Sequence, residues 1–156
     1  VIERTAVISD DGLYRSLLGR RWSAWPLLGF CMLNPSIADA AIDDPTIRRC
    51  VGFARDLGYG GISVVNLYAF RATSPQALLA FKGDIIGPEN DATIRAWAIE
   101  CPTLVAAWGS YARSDRVDAV RKLIEPFRFM ALGVTKTGQP RHPLYLPKTA
   151  ERVPWP

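Results

Sequence analysis

The sequence predicts an α/β fold, a three-layer α/β/α sandwich with a mostly parallel central sheet, in one domain over residues 1–156. Three observations predict it. Short apolar runs at residues 25–33, 62–67, 104–108 and 127–132 have the length and continuity of strands buried on both faces. Segments with apolar residues at helical spacing separate them, as with Ile47, Cys50, Val51 and Ala54. Strands alternating with helices imply a parallel sheet covered on both sides.

Each element has a local reason. Residues 5–9 and 13–18 flank Asp10-Asp11-Gly12, so a hairpin is expected, capping one edge of the main sheet. The run at 25–33 is stopped by Asn34-Pro35. Asp44 is suited to cap a helix that Pro45 begins, and Gly58 with Gly60-Gly61 ends it. Residues 62–67 form the second buried strand. Thr73-Ser74-Pro75 caps a short helix over 76–81, and a longer helix runs over 90–100 with Ile94, Trp97 and Ala98 on one face. The third buried strand, 104–108, is broken by Gly109. A helix over 115–124 and a strand at 127–132 follow, and a tail rich in Gly and Pro ends extended at Pro154-Trp155-Pro156.

At 156 residues the chain is long enough to bury a core without metals or disulfides. A hydrophobic share of 49% with 22% charged residues excludes the disordered and fibrous classes. No apolar stretch spans a bilayer, and acidic residues interrupt the first twenty or so positions where a secretory signal needs an unbroken apolar region. A cytoplasmic protein without membrane partners is expected. The opening residue is Val1 and not Met, which points to a processed or trimmed start. Cys31, Cys50 and Cys101 are odd in number and form no Cys-x-x-Cys pair, so reduced, buried thiols are expected. With a single His as well, no metal site and no cofactor are expected. The net charge of +4 is modest, but Arg outnumbers Lys, and Arg is the better phosphate fork.

Polar residues that punctuate apolar runs far apart in sequence can meet where strands end, the usual ligand crevice of open α/β folds. Asn34, placed before Pro35, either holds a water or ligand edge or satisfies its own turn, and Ser36 has the same alternatives. Asn66 sits among β-branched residues, where its amide must be hydrogen-bonded, either to neighbouring backbone or to a nucleobase edge. His142, beside the cation Arg141, is favoured as a neutral imidazole able to donate to a developing oxyanion; otherwise it is a surface or packed side chain. Arg48, Arg49, Arg71 and Arg141 either clamp phosphates or are solvated or ion-paired. Trp108 is a stacking wall or core filler. Asp39, Asp43 and Asp44 are candidates to activate water or orient Arg48 and Arg49, with capping the simpler role for Asp44.

Across nearly the whole chain, Met32-Leu33-Asn34-Pro35-Ser36, Asp44-Pro45-Thr46-Ile47-Arg48-Arg49, Val65-Asn66-Leu67, Ala107-Trp108-Gly109 and residues 140–146 resemble the bacterial and phage family called domain of unknown function 1643. More remotely, their order and spacing resemble the uracil-DNA glycosylase superfamily. Leu33-Asn34-Pro35-Ser36 is similar to its first motif, which implies Asn34 as the residue that positions the hydrolytic water. Residues 64–71 are similar to its strand-borne Asn motif, which implies Asn66 as base reader with Arg71 beside it. His142-Pro143 is similar to its final motif, whose His stabilises the departing base. Leu144 stands in place of that motif's Ser, and the loop after Asn34 lacks the superfamily's stacking aromatic.

The favoured function is therefore nucleobase recognition with N-glycosidic hydrolysis on a modified nucleotide or nucleic acid. Asn34 and His142 are the catalytic candidates; Ser36, Asn66, Arg71, Trp108 and Arg141 are the substrate-binding ones. The alternative is a non-catalytic nucleotide or modified-base binding module of a phage or plasmid system.

Overall fold

A hairpin opens the chain, with β1 (Glu3–Ile8) antiparallel to β2 (Arg15–Arg21). Its turn is held by the Asp11 carboxylate, which accepts from Ser9 Oγ at 2.6 Å and from the Leu13 amide at 3.0 Å. In this computed structural model, which describes residues 1–156, β3 (Leu27–Met32) follows and is buried along its whole length. The helix α1 (Pro45–Asp56) starts where the cap signal puts it: Asp44 Oδ1 accepts from the Ile47 amide at 2.8 Å. Next come β4 (Gly61–Asn66), the short α2 (Pro75–Ala80) capped by Ser74, and α3 (Asn90–Glu100). The chain continues through β5 (Thr103–Ala106), α4 (Ser114–Leu123), β6 (Phe129–Ala131) and β7 (Val153–Pro154).

The seven strands form one sheet in the order β1-β2-β4-β3-β5-β6-β7. Here the expectation of a mostly parallel sheet is corrected. Strands β4, β3, β5 and β6 pair parallel, but β1 with β2, β2 with β4 and β6 with β7 pair antiparallel, so three of six pairings are antiparallel. The hairpin extends the sheet on one side, and the tail, expected only to be extended, closes the other as β7. No helix is long and apolar enough to cross a membrane.

Along β3 successive side chains alternate between two cores, the period of two that a strand imposes. Leu28, Phe30 and Met32 pack with Ile47, Cys50 and Phe53 of α1, whereas Cys31 joins Ile94 and Trp97 of α3 and Val117 and Val120 of α4. Both faces are apolar, so the strand reads as a continuous run. Gly29 is required by one close approach: a Cβ there would lie 2.8 Å from Trp97 Cζ2. The Trp97 indole meanwhile donates to the Ser63 carbonyl at 3.0 Å, fastening α3 to β4.

Candidate functional site

The parallel strands β3 and β5 both end toward one rim of the sheet, and a cavity of about 570 Å³ opens there. Its wall combines the end of β3 (Met32, Leu33, Asn34), the segment after β5 (Trp108, Gly109), the N-terminal turn of α1 with its cap, and the tail around His142. Gly109 makes the last of these possible. Its φ of +75° turns the chain sharply after β5, and its amide donates to the Pro140 carbonyl at 2.9 Å, which brings the His142 segment to the strand end.

Asn34 is oriented by its own amide. Its Nδ2 donates to the Pro35 carbonyl at 2.9 Å and to the Ala72 carbonyl at 2.8 Å. Both partners are acceptors, so the nitrogen must face them, which leaves Oδ1 as the group without a protein partner. The residue thus satisfies its turn and retains an acceptor in the cavity wall.

His142 caps a 3-10 turn, Pro143–Tyr145, through Nδ1, which accepts from the Leu144 amide at 3.3 Å. In the neutral ring the proton then sits on Nε2, a donor. Burial pushes the imidazole below its ordinary 6.5, and Asp44 pulls weakly the other way. The neutral state is the expected one, but its cause is burial and not the neighbouring Arg141.

Two further wall residues carry charge: Asp44, a candidate from sequence to activate water or to cap, and Arg15, which sequence reasoning did not place in the site. Arg15, only 2% exposed, donates through Nη1 to the Ala38 carbonyl at 2.9 Å, while its Nε is buried without a partner. Burial brings its guanidinium down to about 10, with Asp44 opposing, so it remains a cation at neutral pH. Asp44 is the cavity's carboxylate, and one of its oxygens is already spent on the α1 cap. Arg15 sits at the start of β2 with no motif around it. The aromatics Tyr111 and Tyr145 also line the cavity and are exposed, offering flat surfaces that the Asn34 loop lacks.

Of the residues singled out from sequence, Asn34, Ser36, Asp44, Trp108, Arg141 and His142 share this wall. Trp108 is also core. It packs edge-on against Phe129 and Trp155, with centroids 5.3 and 5.0 Å apart, and its Nε1 is buried without a partner. Arg141 donates to the Tyr145 carbonyl. Asn66 and Arg71 are not in the wall. Asn66 pairs in register with Met32, is 1% exposed, and both its Oδ1 and Nδ2 are buried without partners. Arg71 reaches the carbonyls of Ser36, Gly12 and Ile37, bracing the hairpin turn against the Asn34 loop. Asp39 closes its own loop by accepting from the Ala41 and Ile42 amides, and Asp43 pairs with Arg4 and Arg20.

Asp44 and His142 are the wall's two metal-ligating side chains, and no group of three or more His, Cys, Asp or Glu in the molecule could hold a metal ion. The cysteines are free and buried, and burial raises all three thiols, Cys101 to about 12.

These features define a mixed α/β protein with its main cavity at the ends of parallel strands. The family described as "Protein of unknown function (DUF1643)" matches residues 15–144, and the chain belongs to it. The matched stretch takes in every cavity residue except Tyr145. No curated protein matches the chain.

Proposed function

We propose that the cavity binds a nucleobase carried on a modified nucleotide or nucleic acid, and that the protein cleaves its N-glycosidic bond. The observation that carries this reading is the pairing in one wall of a fixed acceptor, Asn34 Oδ1, with a fixed neutral donor, His142 Nε2. Glycosidic cleavage builds positive charge on the sugar and negative charge on the leaving base. It therefore needs a held water on one side and a donor to the base on the other. Asn34 holds the water and His142 donates to the departing base. Arg15 and Asp44, one donor and one acceptor, read the base edge, with Asn66 beside Met32 on the neighbouring strand, and Ser36, Trp108 and Arg141 complete the walls. The fold on this reading is the three-layer, glycosylase-like sandwich; helices on both faces of a parallel four-strand centre support it.

One observation favours a second reading, the binding module without chemistry. One oxygen of the cavity's carboxylate is spent on the helix cap, and the Asn34 amide is a weaker activator of water than a carboxylate.

The deciding experiment incubates the protein with modified nucleosides, nucleotides and single- and double-stranded oligonucleotides, and follows free base by chromatography. Base release slowed on the order of a hundredfold by His142→Ala, with KM little changed, is expected of an oxyanion donor. Tight binding with no release leaves the binding module. Neither binding nor release overturns both readings.

A further inference from the structure

We propose that a basic groove beside the cavity is a phosphate site, so that the ligand is a nucleotide or a nucleic-acid strand and not a free base or nucleoside. The inference rests on the nucleobase reading of the main cavity. The groove holds about 510 Å³ and runs along the outer face of α1, from Arg48, Arg49 and Phe53 to Leu144 and Lys148 of the tail. It shares Pro45 and Leu144 with the cavity, so the two are contiguous. A base seated near His142 has its sugar and phosphate leave over these two residues.

The groove's charge is uncommitted. Arg48, Arg49 and Lys148 face one carboxylate, Asp56. None of the four takes part in an ion pair, since the molecule's salt bridges are Arg4 and Arg20 to Asp43 and Arg116 to Asp91. Two of the cations are also held in place. Arg49 lies over the Phe53 ring, 5.4 Å from its centroid, and donates to the Leu146 carbonyl, while its Nε is buried without a partner. Arg48 Nη1 donates to the Asp43 carbonyl at 2.9 Å. Guanidinium groups fixed before binding lose less freedom on meeting a phosphate, and their geometry suits its oxygens.

The test measures affinity over a range of salt for four probes: a nucleoside, its 5′-monophosphate, a short single-stranded oligonucleotide containing it, and an abasic strand of the same length. The nucleoside is drawn in turn from the modified nucleosides of the base-release panel. The main variant is the double change Arg48→Gln with Lys148→Gln, both exposed and outside the cavity wall, with Arg49→Gln as a second variant. The monophosphate should bind roughly tenfold or more tighter than the nucleoside, the strength of charged hydrogen bonds. The double variant should lose most of that gain while binding the nucleoside unchanged, and the salt slope for the strand should fall by about 0.7 per cation removed. A gain seen only with the strand identifies a polynucleotide as the phosphate source; one complete in the monophosphate identifies a free nucleotide. Equal affinity for nucleoside, monophosphate and strand, or a double variant that binds every probe as the parent does, overturns the groove and leaves the base reading intact. Abasic strand bound by the parent and lost in the variant, with no nucleoside bound, keeps the phosphate site and removes the base reading. No binding of any probe removes both.

Discussion

Strand β2 has a buried arginine near each end, Arg15 and Arg20, and they are used in opposite ways. Arg20 spends all three guanidinium nitrogens. Its Nε meets Asp43 at 2.8 Å, Nη1 reaches the carbonyls of Thr5 and Gly19, and Nη2 those of Asp39 and Ile42. It ties the hairpin to the loop that precedes α1. Arg15, at the cavity end, has one hydrogen bond, to Ala38, and a buried Nε with none. A weaker form of the contrast separates Asn90, whose Nδ2 binds the carbonyls of Asn66 and Leu67 although its Oδ1 is buried without a partner, from Asn66, whose carboxamide binds nothing. A saturated buried polar group holds a fold together, whereas an unsaturated one costs stability unless a ligand completes it. The comparison thus divides groups that build the scaffold from groups the fold leaves unsatisfied, of which Arg15 lines the cavity and Asn66 does not.

The sharpest way to break this division is to remove each arginine. Arg20→Met should lower the unfolding free energy by about 3 kcal/mol in chemical denaturation, because several carbonyls lose their donor and Asp43 is left with Arg4 alone. Arg15→Met should change stability by no more than about 1 kcal/mol and yet abolish ligand binding, since it gives up one hydrogen bond while relieving a buried charge. Equal costs for the two would erase the contrast.

The asparagines give a smaller version. Asn90→Ala should cost about 1–3 kcal/mol, since the Asn66 carbonyl loses the Asn90 donor and the Leu67 carbonyl is left with Arg116 Nε alone. Asn66→Leu should leave the melting temperature level or raise it, because the leucine removes two unpartnered polar atoms. A marked loss there would show that the Asn66 amide is satisfied in solution.

The smallest effect is set by pH. His142 has its folded pKa pushed below the unfolded 6.5, so the unfolded chain takes up the proton more readily as pH falls through that range. The His142 contribution to stability is therefore fully present above 6.5 and declines on acidification toward the folded value. The same proton removes the neutral donor state, so any base release should fall in that acid range and show no His142-dependent change from pH 7 to 8. A His142→Gln variant should lose both dependences; retention of either would assign them to another group.

Much of this molecule was legible in local chemistry. Asp44-Pro45 marks the start of α1 because a cap and a fixed φ act within one turn, and the Asp-Gly hairpin and the boundaries of α3 are equally local. Gathering Asn34, Ser36, Trp108, Arg141 and His142 was also within reach of sequence, since each follows an apolar run or lies in the one polar tail segment that could fold back on the strand ends. Tertiary structure alone decided the rest. A strand apolar on both faces carries no alternation from which its neighbour or direction can be read, so the antiparallel joining of the hairpin to β4 and of β7 to β6 emerged only from contacts between distant segments. Whether a buried polar group is saturated depends likewise on carbonyls far away in sequence. Thr5, Asp39 and Ile42 complete Arg20, no such set completes Arg15, and Arg71 is consumed by Gly12, Ser36 and Ile37. Residue type set what each of these groups can do; which of them the fold leaves free to do it was decided by packing.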